Sequence, residues 1–320
     1  MAKLDLRVRL AGKVLERFSV ARKSEEQILA DQQRTIKHNP VVDLVLGGVA
    51  SGVMLKDDTA AGAEGRIPVR IYRPKDAVGV LPLVVLIHGG GWTVGNLDIY
   101  DSLASTIARD ARAVVVSLEY RLAPTHPWPA AAEDCYAALE EVAARAAEWE
   151  ADAGRLAVVG DSAGANLAAV LTLMSRDRSG PAIAFQGLIY PATDLTLGSA
   201  SIEENANAPL LTGADILRYR SLYVPDPDDR SNPYASPLLA LDHSGLPPAL
   251  IQVAEHDPLR DDGLRYAETL RRAGVPVRVT NYVGMPHGYL AFPRLCRSAP
   301  QALAELTAEL RRQLAPSAAR

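Results

Sequence analysis

Residues 155–174 read RLAVVGDSAGANLAAVLTLM. The opening RLAVVG is a short apolar run, typical of a strand buried on both faces of a sheet. The closing ANLAAVLTLM is typical of a buried helix, and the small residues of GDSAG form a tight turn between the two. This succession of strand, turn and helix predicts one unit of a mainly parallel α/β sheet.

The turn also carries a GxSxG pattern centred on Ser162. In a strand-turn-helix context this pattern predicts a nucleophile elbow, which holds the serine backbone in an unfavourable conformation and exposes Oγ. We expect Gly160, Asp161 and Gly164 to support the turn, because it leaves little room for neighbouring side chains. The alternative is an ordinary turn without chemistry.

Other short apolar runs alternate with helical patterns along the chain. The strands are predicted at 81–88, 113–120, 155–161, 185–191, 249–257 and 277–283, and the helices at 100–111, 129–149, 163–175, 261–273 and 299–314. Such an alternation implies right-handed crossovers and places ligands beyond the carboxyl ends of the strands. A helix over 24–39 and an antiparallel pair, 49–56 with 66–73, come first.

The gap between Pro191 and Ala249 is longer than a crossover needs. We interpret 192–247 as a cap insertion and 1–45 as N-terminal cap helices, with 46–191 and 248–320 forming the core. A disordered surface excursion is the alternative. A helical pattern argues against disorder, because it gives the insertion an apolar face to bury. This face is formed by Ile216, Leu217, Leu222 and Tyr223.

Composition excludes several classes of function. The net charge of −4 provides no global positive field for nucleic acid or an anionic membrane. No apolar run approaches the roughly 18 residues of a membrane span, and the first residues lack a signal-peptide pattern, so we expect a cytoplasmic protein. Cys135 and Cys296 have neither disulfide-framework nor metal-ligand spacing, and we expect Cys135 in the core and no metal site.

A serine nucleophile needs a base, and the chain has six histidines. His287, in GMPHGY after the last predicted strand, is the best candidate because glycines on both sides let a loop present its ring. His256 is the second candidate. His88 ends a strand and is expected to fix the loop after it. We interpret the others as surface or structural residues: His38, His126 and His243.

The acid is expected between the serine and the histidine in chain order. Asp257 lies at the carboxyl end of a predicted strand, in AEHDPLRDDG. The rivals are Glu255, Asp261 and Asp262, and a purely helix-capping role for Asp257 is the alternative. HGGGW, residues 88–92, and the N–H of Ala163 would supply donors for an oxyanion. A phosphate-binding interpretation of these glycines is weak, because GGGWTVG matches no phosphate-loop pattern.

Five motifs in order resemble the bacterial hormone-sensitive-lipase-like esterases. They are HGGGW, YRLAPTHPWPAAAED (120–134), GDSAGANLAA (160–169), DPLRDDG (257–263) and GMPHGY (284–289), so the resemblance spans roughly residues 80–292. It implies an α/β-hydrolase fold: a mostly parallel sheet of about eight strands, flanked by helices and covered by a helical cap. It also implies no cofactor, a small-molecule ester substrate, and membership of a group that is often homodimeric.

By position, the resemblance makes Ser162 the nucleophile, Asp257 the acid and His287 the base. It makes Gly89, Gly90 and Ala163 the oxyanion donors, with His88, Gly91, Gly160, Asp161 and Gly164 supporting the site. The departures from the usual motifs are Thr125, Ala165 and Tyr289, and none removes a catalytic group.

The sequence therefore predicts a carboxylic-ester hydrolase for short to medium acyl chains, working through an acyl-enzyme. An amidase, deacetylase or formamidase with the same triad is the alternative. A non-catalytic small-molecule receptor on this fold is disfavoured because all the triad candidates are present. A lipase acting at interfaces is disfavoured because no long apolar lid segment is visible.

Overall fold

The central sheet of the protein has eight strands in the order β1-β2-β4-β3-β5-β6-β7-β8. It is taken from a computed structural model that describes residues 3–4, 7–9, 12, 19–34, 43 and 47–316. The strands are β1 (Val53–Gly62), β2 (Gly65–Pro74), β3 (Leu81–Ile87), β4 (Val114–Leu118), β5 (Ala151–Asp161), β6 (Phe185–Ile189), β7 (Ala249–His256) and β8 (Val277–Pro286). The expectation of about eight strands is confirmed.

Most neighbouring strands run parallel. Strand β2 pairs antiparallel with β1 and with β4, whereas every other pair is parallel. The predicted mostly parallel sheet and the predicted antiparallel pair at its start are therefore confirmed. Because parallel strands end at the same edge of a sheet, the carboxyl ends of β3, β5, β7 and β8 lie along one edge of this sheet.

Both faces of the sheet are buried. Along β3, Leu83, Val85 and Ile87 belong to one core cluster, and Val84 and Leu86 belong to the other. All five side chains are fully buried. Since successive side chains of a strand point to opposite faces, each face has its own apolar layer. This is the reason for the continuous apolar runs in the sequence.

Helices cover both layers. They are α1 (Glu25–Gln32), α2 (Leu97–Ala111), α3 (Ala130–Ala144), α4 (Ala163–Asp177), α5 (Ser201–Glu204), α6 (Gly213–Tyr223), α7 (Arg260–Arg272) and α8 (Ala299–Gln313). Short 3₁₀ segments are Val20–Arg22, Ala146–Trp149, Asp228–Ser231, Pro237–Leu239 and Tyr289–Ala291. Helices α3 and α4 pack in one cluster, and α2 and α8 in the other.

Several element ends differ from the sequence-based prediction. The strand predicted at 49–56 begins at Val53 and continues to Gly62, because its pairing with β2 extends to the turn. Strand β8 continues to Pro286, which pairs with His256 of β7 after a register shift. Pairing partners of this kind are not visible in the local pattern, which explains the error.

The predicted helix ends differ as well. The helix predicted over 129–149 is divided, with α3 ending at Ala144 and a 3₁₀ turn following it. At the N-terminus, Ser24 caps α1 in a capping box with Gln27, which matches the predicted start. Helix α1 ends at Gln32, and 35–39 of the predicted helix lie outside the described residues.

The segment between β6 and β7 contacts the N-terminal part of the chain. In α6, Asp215 accepts a hydrogen bond from the Ala21 N–H at 3.1 Å. Leu222 packs with Val20 and Ile28 in a small apolar cluster. The segment is therefore packed onto the molecule and is not a loose excursion.

The predicted apolar face of α6 is largely buried. Ile216, Leu222 and Tyr223 are buried, as expected, whereas Leu217 is 50% exposed. The prediction for Leu217 is wrong because this residue lies on the side of α6 opposite the buried apolar stripe.

Asp262 of α7 fastens the start of this segment to the core. Its Oδ2 accepts hydrogen bonds from the Thr193 N–H at 3.0 Å and the Asp194 N–H at 3.1 Å, and its Oδ1 accepts one from the Ser199 hydroxyl. Burial, aided by the charge of Asp194, raises the pKa of Asp262 from its ordinary value of 3.8 to about 7.

This shift makes the stability of the fold depend on pH. Between about pH 4 and about pH 7 the folded state retains the Asp262 proton and the unfolded state releases it. The contribution to the free energy of unfolding is thus fully present below about pH 4 and is lost as the pH rises through about 7. The amide introduced by the substitution Asp262→Asn would stay neutral throughout.

We therefore expect the difference in free energy of unfolding, Asp262→Asn minus wild type, to rise between about pH 5 and about pH 7 and then to level off. Urea titrations of both proteins across this range measure the difference, and subtraction cancels distant titrating groups. A difference that is constant with pH would contradict the assignment of this proton to Asp262.

Candidate active site

Ser162 occupies the turn between β5 and α4. Its backbone has φ 54° and ψ −119°, a region that residues other than glycine avoid. A Cβ at Gly160 would lie 2.2 Å from the Gly164 O, and a Cβ at Gly164 would lie 2.1 Å from the Ile87 O. Only glycine fits at these two positions, because the turn brings the start of α4 against the end of β5 and against the backbone at the end of β3.

His287 contacts Ser162 and Asp257 at the same time. Its Nε2 lies 2.8 Å from the Ser162 Oγ, and its Nδ1 lies 2.8 Å from the Asp257 Oδ2. Since a carboxylate only accepts, we place the ring proton on Nδ1, which leaves Nε2 to accept the serine hydroxyl. Three side chains that the sequence separates widely thus converge at the carboxyl ends of β5, β7 and β8.

Local backbone features present the base and the acid. Gly284 and Gly288, on either side of His287, have left-handed φ values of 73° and 69°, so glycine lets the chain turn here. Asp257 is fully buried directly after β7, and its Oδ1 accepts the Leu259 N–H at 2.8 Å. The N-cap residue of α7 is Leu259, so the helix-capping alternative for Asp257 is wrong. The Leu259 N–H takes one oxygen of Asp257, and His287 takes the other.

The rival acids have other partners. Asp261 accepts a hydrogen bond from the Ser201 N–H at 3.0 Å, and Glu255 accepts one from the Gly284 N–H at 2.8 Å. Asp262 anchors the segment after β6, as described above. None of the three hydrogen-bonds His287 in the described part of the chain.

No other histidine of the described residues hydrogen-bonds Ser162. His243 is buried, with its Nε2 2.8 Å from the Pro237 O. His126 is half-buried in the turn before α3, and His256 is half-buried at the end of β7. His38 lies outside the described residues.

The HGGGW loop follows β3 and shares a cavity with Ser162. The structure contradicts the prediction that Gly89 donates to an oxyanion. Its N–H donates to the Tyr100 hydroxyl at 2.8 Å and to the Asp161 Oδ1 at 3.0 Å, so it is already engaged inside the protein. The N–H groups of Gly90, Gly91 and Ala163 donate to no described residue.

Asp161 anchors the HGGGW loop by hydrogen bonding. Besides the Gly89 N–H, it accepts the Tyr190 hydroxyl at 3.2 Å, and Tyr100 also hydrogen-bonds it. Burial raises the pKa of Asp161, while the hydrogen bonds from Tyr100 and Gly89 oppose that rise. The ring centroids of Tyr190 and His287 lie 4.6 Å apart. One buried carboxylate therefore connects the loop to the ring that packs against His287.

Sequence reasoning missed Tyr100 and Tyr190. Tyr100 lies within the amphipathic pattern of α2, where a tyrosine attracts no notice. Tyr190 directly follows β6. Its place at the carboxyl end of a strand neighbouring β5 is a signal that could have identified it.

His88 supports the loop from the end of β3. Its Nδ1 lies 2.8 Å from the Gly89 O, and its ring stacks on Tyr120 with centroids 4.3 Å apart. The Tyr120 hydroxyl donates to the His88 O at 2.8 Å. Burial lowers the pKa of His88 to about 4, so this ring is neutral near pH 7 and contributes shape and hydrogen bonding.

Two cavities flank the hydrogen-bonded side chains. The serine cavity, of about 30 Å³, is lined by Ser162, Ala163, Gly91 and side chains of α6. The histidine cavity, of about 250 Å³, is lined by His287, Leu210 and Phe292. Tyr219 of α6 lines both cavities. The segment between β6 and β7 therefore shapes the space on either side of Ser162.

The two cysteines are not arranged as a reactive or metal-binding pair in the described residues. Cys135 is fully buried in the core, as predicted, and burial raises the pKa of its thiol. Among the residues the structure describes, no cluster of three or more histidine, cysteine or acidic side chains is arranged to hold a metal ion. No helix in the same set is long and apolar enough to cross a membrane.

Comparisons with known proteins agree with this geometry. A sequence model of a family described as alpha/beta hydrolase fold matches residues 84–291. Carboxylesterase NlhH of Mycobacterium tuberculosis is 47% identical over 251 residues, which are 78% of this chain and 79% of the relative. Carboxylic ester hydrolase LipN of the same organism is 45% identical over 268 residues, 82% and 71% of the two chains.

A solved structure leads to the same fold. The hyperthermophilic esterase of the archaeon Pyrobaculum calidifontis is 34% identical and superposes with a TM-score of 0.82, covering 97% of this chain and 99% of its own. Since the family model matches more than half of the chain and the relatives match most of it, the resemblance predicted from the motifs is confirmed. The chain therefore belongs to the alpha/beta hydrolase fold family.

Proposed function

We propose that the protein is a serine carboxylesterase that hydrolyses short- to medium-chain acyl esters. The observation that carries the proposal is the position of His287, whose two nitrogens each lie 2.8 Å from their partners, Ser162 and Asp257. The esterase names of the relatives support the reaction class. The small size of the serine cavity, about 30 Å³, supports a limit on acyl length.

Acylation begins when His287 Nε2 takes the Ser162 proton and Oγ attacks the ester carbonyl carbon. Asp257 holds the ring and stabilises the imidazolium that forms. The tetrahedral intermediate collapses as the bond to the alcohol oxygen breaks, and His287 protonates that oxygen. Water then attacks the acyl-enzyme with His287 again as base, which releases the acid and restores Ser162.

The oxyanion needs donors that are free in the resting protein. We propose the N–H groups of Gly90, Gly91 and Ala163, since none of them donates to a described residue. Gly91 and Ala163 line the same cavity as Ser162. Asp161 fixes the loop through Gly89, so the donors are held in place before the ester binds.

The division into cap and core is part of the proposal. The N-terminal part and the segment 192–247 act as a cap, which is supported by the contact of α6 with both cavities. A cytoplasmic location stays a prediction from the sequence.

A homodimer is proposed from the family resemblance, and light scattering of the purified protein is expected to give twice the mass of the chain. The mass of a single chain would contradict it.

Ser162→Ala tests the nucleophile. We expect kcat for p-nitrophenyl butyrate to fall by about 1,000-fold or more, because the covalent route is lost. The melting temperature is expected to change little, since the methyl group fits the same turn. Ser231→Ala, at an exposed serine, is the control and should keep full activity. More than about a tenth of wild-type activity in Ser162→Ala would contradict the proposal.

Asp161→Ala tests the support of the oxyanion loop. It leaves the Gly89 N–H without its carboxylate, so we expect kcat to fall by about tenfold to a hundredfold, with a smaller change in KM. Asp161→Asn keeps an oxygen that can accept the Gly89 N–H and should lose less. Steady-state kinetics with p-nitrophenyl butyrate separate the two parameters. Equal kcat in both variants and the wild type would contradict the role of Asp161.

A further inference from the structure

The two cavities separate the two halves of an ester. The alcohol oxygen must approach His287 to receive its proton, and the carbonyl oxygen must face the free N–H groups. The serine cavity is lined by Ala163 and Gly91 but not by His287, whereas the histidine cavity is lined by His287. The acyl group therefore extends into the serine cavity and the alcohol into the histidine cavity.

The serine cavity is mostly apolar, and three of its lining residues are charged. Its apolar wall includes Leu195, Leu197, Leu211, Ile216 and Leu259. The charged lining residues are Arg220, Asp194 and Asp262. Whether these charges are compensated within the protein decides which acyl groups the cavity accepts.

Arg220 lacks a counter-charge. Its Nε is buried without a hydrogen-bond partner, and its Nη1 makes only a long contact of 3.5 Å to the Leu195 O. No carboxylate of the described chain lies within ion-pair distance of Arg220. Burial lowers the pKa of its guanidinium, and the nearby charge of Arg230 lowers it further.

Arg230 adds to the positive potential. Its guanidinium donates only to backbone oxygens, those of Val224 and Pro225, each at 3.3 Å. Neither arginine is neutralised by a carboxylate in the part of the chain that the structure describes. The positive charge of Arg220, which lines the cavity, is therefore not cancelled by a carboxylate of the described residues.

The two carboxylates of the cavity are compensated. Asp194 forms an ion pair with Arg265 at 2.8 Å. Asp262 accepts the hydrogen bonds from Thr193, Asp194 and Ser199, and its pKa of about 7 reduces its negative charge near neutral pH. An anion in the cavity would thus meet one uncompensated positive group and little uncompensated negative charge.

We propose that the enzyme selects esters whose acyl group ends in a carboxylate, the half-esters of dicarboxylic acids, and that Arg220 binds this carboxylate. The proposal rests on the proposed esterase function and names its substrate class. The buried Nε of Arg220 lacks a hydrogen-bond partner, which is costly, and a carboxylate can satisfy it with a charge-assisted hydrogen bond. Arg220 is then a specificity-determining residue at the far end of the acyl group.

Isosteric substrates test the proposal on the wild-type protein. The series is the monoethyl esters of malonic, succinic, glutaric and adipic acid. Each is compared with the ethyl ester in which an isopropyl group replaces the carboxyl group, such as ethyl 4-methylpentanoate for the succinate. We expect at least one half-ester to exceed its isostere in kcat/KM by about tenfold or more, the scale of a hydrogen bond between charged groups. A higher kcat/KM for the isostere in all pairs would overturn the proposal.

Variants assign the preference to Arg220. In Arg220→Met the ratio of kcat/KM, half-ester over isostere, is expected to fall by about tenfold or more. Arg218→Met, which removes the same charge from the same helix at a residue that contacts Glu25, is the control and should keep the wild-type ratio. A ratio in Arg220→Met within about twofold of the wild type would overturn the role of Arg220, as would an equal fall in both variants.

The same measurements separate this proposal from the proposed function. Hydrolysis of the alkyl isosteres by the wild type, and its loss in Ser162→Ala, tests ester hydrolysis whatever the charge of the acyl group. If the isosteres are hydrolysed and the half-esters are not preferred, the esterase function stands and the carboxylate preference fails. If Ser162→Ala hydrolyses both classes as fast as the wild type, the esterase mechanism fails first.

Discussion

The whole site depends on His287 lying 2.8 Å from Ser162 on one side and 2.8 Å from Asp257 on the other. An imidazole can pass a proton only if both of its nitrogens keep their partners, and here each partner is attached to a different strand end. The parallel sheet satisfies this requirement, because β5, β7 and β8 finish at one edge. The left-handed Gly284 and Gly288 then turn the chain so that the ring reaches between the other two groups.

A second constraint joins the fold to the chemistry at the elbow. The missing Cβ of Gly164 allows the backbone of α4 to approach the Ile87 O of β3, so the HGGGW loop after β3 starts beside Ser162. Asp161, the residue before the nucleophile, holds the Gly89 N–H. The motif GDSAG thus places the serine and also anchors the neighbouring loop, and its residues have separate physical tasks.

Much of this arrangement could be predicted from the sequence. Apolar runs located the strands of the core because both faces of the sheet are buried, and the order of Ser162, Asp257 and His287 at strand ends indicated a common edge. Element ends were predicted less well, since the end of β8 depends on its pairing with β7. The assignment of Gly89 as a donor was wrong because sequence does not show which way an amide points. Tyr190 and Arg220 escaped notice because their importance arises from neighbours distant in sequence.

The central claim is that Ser162 is the nucleophile that His287 activates. Peptide mapping by mass spectrometry after treatment with diethyl p-nitrophenyl phosphate tests it most directly, because the reagent transfers its diethylphosphoryl group to an activated hydroxyl and releases p-nitrophenolate. The account predicts one modified peptide, carrying the group on Ser162, and a loss of esterase activity in proportion to the modification. Modification of a different residue that abolishes activity, or full activity after Ser162 has been modified completely, would contradict it.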